Sequence, residues 1–422
     1  MLAYIRSLLL GAGIAALLVA VPGAENGRDL SKASPESVGV SAERLERLEV
    51  VLRRFVDDNR LAGVTTLLAR RGKTIHSFTA GKKDSRNPDP IKRDSIFRIY
   101  SMTKPVTAAG MMMLYEEGKW QLDDPVARYI PEFAKLQVYL GDNPDGSMKL
   151  EPARRSMTMR ELMTHSSGLG YVLNQANAVD RLIIKEQVLD ANAPLQAMID
   201  KLAKTPLSAQ PGTRWYYSIA IDVQGHLVEQ LSGQTFADFL QARLFGPLGM
   251  KDTAFYVPKD KLGRLARIHT DGKEGLAPPS DDAVDVTTPP AGPSGGGGLF
   301  STADDYLRFT QMLLNGGEFG GKRYLSPRTV QMMRTNHLQA EPLETVRAGT
   351  GWGLGFRTVD NAAAAGEPVA NGTFDWYGIG GTWFWIDPAS DLTFVGMIQH
   401  RGRANNEIRP LSRNLVYQAL LN

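Results

Sequence analysis

Apolar positions recur along this chain with two different periods, and the changes of period divide it. After Ser41, Leu45, Leu48, Leu52, Phe55 and Val56 fall on one helical face, with Ser41 placed as its cap. Val64 to Ala69 and Thr74 to Ala80 then read as two strands about the turn Arg70-Arg71-Gly72-Lys73. The far end repeats that signature. Thr382 to Ile386 and Leu392 to Ile398 are β-rich runs parted by Asp387-Pro388-Ala389-Ser390-Asp391, and a closing helix is expected near Leu411 to Leu421. The middle differs. Thr158 with Glu161 forms a capping box, and Thr235 with Asp238 and Thr302 with Asp305 are similar acidic starts. The last of these helices runs through Tyr306, Phe309 and Leu313 to Gly316-Gly317. Pro278 to Gly298, rich in Pro, Gly, Ser and Asp, reads as a loop, and no internal repeat is present. The pattern predicts an α/β (α+β) fold: one antiparallel sheet built from both termini, flanked by helices, with a mostly helical region inserted. In residue terms, 25–105 and 295–422 form the sheet domain and 106–294 the insertion.

The first residues follow another logic. Arg6 precedes an apolar stretch from Ser7 to Val21 that ends in Val21-Pro22-Gly23-Ala24. That order of a charged start, an apolar run and small residues predicts a signal peptide over residues 1–24 and a periplasmic or secreted product. The run is short for a transmembrane span, and an uncleaved anchor is the alternative. Without cysteine, the chain carries no lipid-modified cysteine, disulfide, thiol nucleophile or zinc-thiolate site. Of the 422 residues, 43% are hydrophobic and 22% charged, an ordinary globular balance. The 48 basic and 45 acidic residues are interspersed and leave a net charge of only +3, so nucleic acid is not an expected partner. The 6 histidines show no metal-ligand spacing, and neither metal nor cofactor is expected.

The strongest chemical signal is Ser101-Met102-Thr103-Lys104. It follows the strand-like Ile96-Phe97-Arg98-Ile99 and opens an apolar run, Val106 to Tyr115, that stops at Gly118. Pro105 is tolerated only in a first helical turn, which puts the helix start beside the serine. Three residues make nearly one turn, so Lys104 shares a face with Ser101 and reaches its hydroxyl. A serine hydroxyl is a poor nucleophile until a neighbouring base takes its proton, and a desolvated amine can be that base. The helix N-terminus adds stabilisation for negative charge. Any capping serine near a surface lysine satisfies S-x-x-K. Here, however, the pattern occurs once, and it opens a helix apolar enough to be buried, where a lysine needs a reason.

With that motif in place, others follow in order. Phe97 to Pro105 is succeeded by Glu116-Glu117-Gly118, Leu122-Asp123-Asp124-Pro125, Leu162 to Leu169 and Pro211 to Ser218. Phe245 to Met250, Gly296-Gly297-Gly298-Leu299 and Gly381 to Pro388 complete the set. In this order the motifs resemble those of the family VIII carboxylesterases and related class C β-lactamase-like hydrolases. The resemblance spans about 41–415 and implies the serine β-lactamase/D,D-peptidase-like fold. It matches the Tyr-x-Asn element to Tyr217-Ser218-Ile219, implying that Tyr217 joins Lys104 as general base. It matches the Lys-Thr-Gly element to Trp376-Tyr377-Gly378, implying an oxyanion hole from the N–H groups of Ser101 and Ile379. Trp376, Tyr377 and Gly378 then become substrate-binding residues, although Trp376 reads equally as a core aromatic. Two departures, Ile219 for the asparagine and Trp376 for the lysine, point toward neutral esters.

Two other residues compete for a role. Gly292-Pro293-Ser294-Gly295-Gly296 fits G-x-S-x-G, which works only on a strand-to-helix turn. Thr287-Thr288-Pro289-Pro290 ahead of it supplies no strand, so Ser294 reads as part of a glycine-rich loop. His165, in a polar segment after a capped helix start, reads as structural rather than as a triad base. The expected activity is hydrolysis of carboxylic esters, short-chain acyl esters foremost, through an acyl-enzyme on Ser101. The expected partner is thus a small-molecule ester, with no stable membrane partner once the leader is cleaved. The alternatives are a β-lactamase or D,D-peptidase acting on amides, and a non-catalytic penicillin-recognising protein. Loops such as 142–151 and 272–295 are expected to shape the pocket.

Overall fold

The computed structural model describes residues 28–273, 275–279, 285–338 and 347–421. The expected leader lies outside them. Seven strands form the main sheet: β1 (Gly63–Arg70), β2 (Lys73–Gly81), β3 (Thr350–Trp352), β4 (Arg357–Val359), β5 (Phe374–Tyr377), β6 (Trp383–Asp387) and β7 (Leu392–Met397). Their order is β3-β4-β5-β6-β7-β1-β2, and every neighbouring pair is antiparallel. The two ends of the chain meet where β1 pairs with β7, Leu67 opposite Val395.

Alternation explains how the sheet is covered. Leu67 and Ala69 of β1 face one apolar cluster, while Val64 and Leu68 face another. The second cluster is closed by α1 (Ala42–Asp57), through Leu45, Leu48, Leu52 and Phe55, and by α5 (Arg403–Tyr417), through Ile408 and Val416. Ser41 caps α1, its side chain accepting the Arg44 N–H. The first cluster holds α2 (Thr103–Glu116), α3 (Ala220–Ser232) and α4 (Ala303–Leu314), with Tyr306 and Phe309 of α4 among its buried residues. Every residue of α2 from Thr103 to Leu114 is buried. A helix apolar on all sides has to be interior, and α2 is the central helix of this molecule.

Two local differences from the sequence pattern have physical reasons. The closing helix starts at Arg403, because its first half is an amphipathic stretch in which only Ala404, Asn405 and Ile408 are buried. Pro410 sits inside it, where the carbonyl it leaves without a donor belongs to the exposed Asn406. The expected loop over 142–151 is the tip and return strand of a hairpin, Gln137–Asp142 against Met148–Pro152. Its side chains are mostly exposed, so no apolar alternation marks it. The described part of 278–298 has neither helix nor strand, as expected.

Candidate active site

Ser101 sits in a sharp turn between a strand and α2. Phe97–Arg98 pairs with Phe300–Ser301, and Ile99 donates its N–H to the Leu299 carbonyl at 3.0 Å. The chain then turns through Tyr100–Met102, with Tyr100 at φ 45°, a left-handed conformation that costs a bulky residue of order 1–3 kcal/mol. Arg401 steadies the turn by donating to Tyr100 Oη at 2.7 Å and lying over its ring. The serine is thereby held half-buried at the mouth of the central helix.

Lys104, one turn on, is 0% exposed. Its Nζ donates to the Gly296 carbonyl at 2.6 Å, Ser101 Oγ at 3.3 Å and Tyr171 Oη at 3.4 Å. The carbonyl can only accept, so one N–H is committed to Gly296. The two hydroxyls can each donate or accept, which leaves the nitrogen free to give or take a proton at Ser101. Behind Gly296 stands Asp222 of α3, whose carboxylate accepts the Gly296 N–H at 3.0 Å and the Ser294 hydroxyl. Burial pushes that carboxyl up, and the charge of Lys104 opposes the shift. A Cβ at Gly296 would collide with the Asp222 carboxylate, so the close approach requires glycine there. Ser294 is thus a tether for the loop that holds Lys104, which explains why G-x-S-x-G occurs here without its strand.

Tyr217 places its ring face 4.6 Å from Lys104 Nζ and accepts a 3.1 Å hydrogen bond from Trp376 Nε1 at its hydroxyl. Burial pushes the phenol well up, and hydrogen bonding with Ser101 and Trp376 pulls it back. Its neighbour Tyr216 points elsewhere, donating to Asp180 at 2.9 Å. His165 is wholly buried, and its Nδ1 accepts the Ser218 N–H at 3.1 Å, which puts the ring proton on Nε2. Burial, helped by Lys104, holds it well below the usual imidazole range, so it is neutral. Its ring lies 4.8 Å from that of Tyr217, and its contribution is to fix the Tyr217-Ser218 turn.

The strand residues complete the wall. β5 ends at Tyr377, and Gly378 donates its N–H to the Thr382 carbonyl at 2.7 Å. Thr382 Oγ1 in turn donates to the Ile99 carbonyl at 3.1 Å, and a Cβ at Gly378 would collide with that same carbonyl. The turn 378–381 is therefore pinned to the segment entering Ser101. With the Gly378 N–H spent on Thr382, the next amide in this turn is that of Ile379. Its carbonyl accepts from Asn405 at 3.3 Å and the residue is 46% exposed.

Ser101, Lys104, Tyr217 and Trp376 are thus brought together, with Tyr377, Gly378 and Ile379 along the adjoining edge. Sequence reasoning missed Tyr171, a second hydroxyl on Lys104, whose N–H is held at 2.8 Å by the buried Asp180. It follows the Leu162 to Leu169 motif by two residues, and no spacing rule distinguishes it. Asp222 was also missed, because an acid in the first turn of a helix is an ordinary feature. Among the described residues, no group of three or more acidic or histidine side chains could hold a metal ion.

A family model described as Beta-lactamase matches residues 48–418. An uncharacterized protein of Mycobacterium tuberculosis is 37% identical over 84% of this chain and 90% of its own. Esterase EstB of Burkholderia gladioli is 32% identical over 84% of this chain and 90% of its own. Among solved structures, EstCE1, described as a hydrolase with promiscuous acyltransferase activity, superposes with a TM-score of 0.74. The match is 28% identical and covers 89% of this chain and 99% of that one.

Proposed function

Since the chain belongs to the beta-lactamase family and is a serine hydrolase, we propose that it cleaves carboxylic esters through an acyl-enzyme on Ser101. The observation that carries this reading is a wholly buried lysine whose amine lies 3.3 Å from the serine hydroxyl. Burying an amine is costly, and a nucleophile to activate is a reason to retain it. Ser101 Oγ attacks the ester carbonyl while its proton passes to the Lys104–Tyr217 pair. The oxyanion is held by the N–H groups of Ser101 and Ile379, each such donor typically contributing about 3–4 kcal/mol. The proton goes on to the departing alcohol, and water activated by the same pair releases the acid. The match to EstB, an esterase by name, supports ester substrates, and the indole at position 376 supports them over a substrate that needs a lysine there. Short acyl chains and export to the periplasm or medium belong to the same proposal.

The test is p-nitrophenyl butyrate hydrolysis by the parent, Ser101→Ala and Ser294→Ala. Turnover should vanish in the folded Ser101→Ala protein and persist in Ser294→Ala. Activity surviving in Ser101→Ala would reject the mechanism.

A further inference from the structure

The two expected oxyanion donors sit on different turns. The turn entering α2 delivers the Ser101 N–H, and the turn 378–381 delivers that of Ile379. The first is not built into the main sheet. Phe97–Arg98 belongs to a two-stranded ladder with Phe300–Ser301, which pairs it along one edge. Directly after it Tyr100 holds its left-handed φ of 45°, so the turn keeps its shape only if its surroundings hold it there.

One side chain closes the other edge. Gln399 stands two residues past β7 and is buried. Its Oε1 accepts the Arg98 N–H at 3.0 Å, and its Nε2 donates to the Arg98 carbonyl at 3.1 Å. A primary amide offers an acceptor and a donor side by side, so these two bonds repeat a strand's pairing with a single side chain. Nε2 also reaches the carbonyls of Ile398 at 3.0 Å and Gly380 at 3.5 Å. Gly380 belongs to the second turn, and its carbonyl is held again by the His400 N–H at 2.8 Å. A Cβ at Gly380 would collide with the Tyr100 ring, so the two turns touch where the Gln399 amide sits. The backbone of Gln399 is itself anchored, its carbonyl accepting the His269 N–H at 2.9 Å. Without the amide, both backbone groups of Arg98 lose this partner at a partly buried position.

We propose that Gln399 is a positioning residue: its amide fixes the spacing between the Ser101 and Ile379 N–H groups, and with it the strength of the oxyanion hole. It acts through the two turns and needs no contact with substrate. The proposal rests on the ester-hydrolase reading and its oxyanion hole. No motif marks the residue, which stands one position beyond the β-rich run from Leu392 to Ile398.

The experiment compares the parent with Gln399→Met and Gln399→Glu. Methionine keeps the length of the side chain and removes both bonds to Arg98. Rates of p-nitrophenyl butyrate hydrolysis are taken per site titrated with a fluorophosphonate, so unfolded protein is not counted. In Gln399→Met, kcat/KM should fall about 10- to 100-fold, since a misplacement of ~1 Å costs on the order of 10²-fold. Butylboronic acid, whose serine adduct places a tetrahedral oxygen in the same hole, should bind more weakly by a similar factor, read by calorimetry. A residue that only supports the fold would lower the melting temperature and leave both numbers near the parent's. Values within about threefold of the parent in both therefore overturn the proposal. Gln399→Glu is the conservative rescue. A protonated carboxyl repeats the amide's acceptor and donor toward Arg98, whereas a carboxylate only accepts. At pH 5.5 its kcat/KM should stay within about tenfold of the parent, and a larger loss overturns the proposal even if Gln399→Met fails to fold. A parent that turns over no ester would reject the esterase reading. Weaker butylboronate binding in Gln399→Met would still support the positioning role.

Discussion

Replacing Trp376 by phenylalanine isolates the role of Tyr217. The change keeps an aromatic ring on β5 and deletes the indole N–H that donates to Tyr217 Oη at 3.1 Å. If Tyr217 stays a neutral phenol throughout the reaction, one neutral hydrogen bond is lost, about 0.5–1.5 kcal/mol. If it carries negative charge while acting as base, the lost bond is charge-assisted and about 1.5–3 kcal/mol, roughly 10- to 150-fold in kcat/KM. The sign of the pH effect follows as well. Trp376 is one of the donors that pull the phenol of Tyr217 back down against burial. Its removal moves that group further up, so the acid limb of the kcat/KM profile should move to higher pH. The assay is p-nitrophenyl butyrate hydrolysis across pH for the parent, Trp376→Phe, Tyr217→Phe and the double variant. Because Trp376 also lines the cavity, the cycle matters: once Tyr217 is phenylalanine, Trp376→Phe should cost little more. A loss below about threefold with an unmoved profile, or full additivity in the cycle, would refute the assignment of Tyr217 as an ionising base.

Two further outcomes follow from buried charge. Asp305, in the first turn of α4, accepts from the Asp252 N–H and from Thr253 Oγ1, and burial pushes its carboxyl up to about 6. A raised folded-state value stabilises the protein below the unfolded value near 4, and that contribution is lost as pH rises through 6. The stability advantage of the parent over Asp305→Asn should therefore shrink by up to about 3 kcal/mol between pH 4 and 7.5, read from thermal melts. Asp375→Ala strips Arg357 and Arg413 of a shared partner and should cost about 3–5 kcal/mol by urea unfolding. A loss under about 1 kcal/mol would show that the charged set is dispensable.

Ser101 and Lys104 were legible because their relation is local: three residues along a helix fix which side chains meet, whatever surrounds them. The interior position of α2 was legible too, since an all-apolar run ending at Gly118 has nowhere else to go. The different settings of Ser101, just after a strand, and Ser294, in a loop, were readable because proline-rich sequence withholds a strand from the second. The place of Tyr377 and Gly378 at the end of a strand was expected from the ordered motifs, but the reason for the glycine, its collision course with the Ile99 carbonyl, is a contact across 279 residues of chain.

The sequence by itself determined the periods, the caps and the local pairing of serine with lysine, because each depends on bonds and spacings within a few residues. The tertiary structure alone decided who stands around that pair. Gly296 reaches Lys104 because Asp222, 74 residues away, ties down its loop. Tyr171 joins because Asp180 holds its backbone, and Arg409 comes to Tyr377 because α5 folds back over the sheet. Such contacts are set by how layers stack, and stacking answers to total apolar burial over the molecule rather than to any short run of residues.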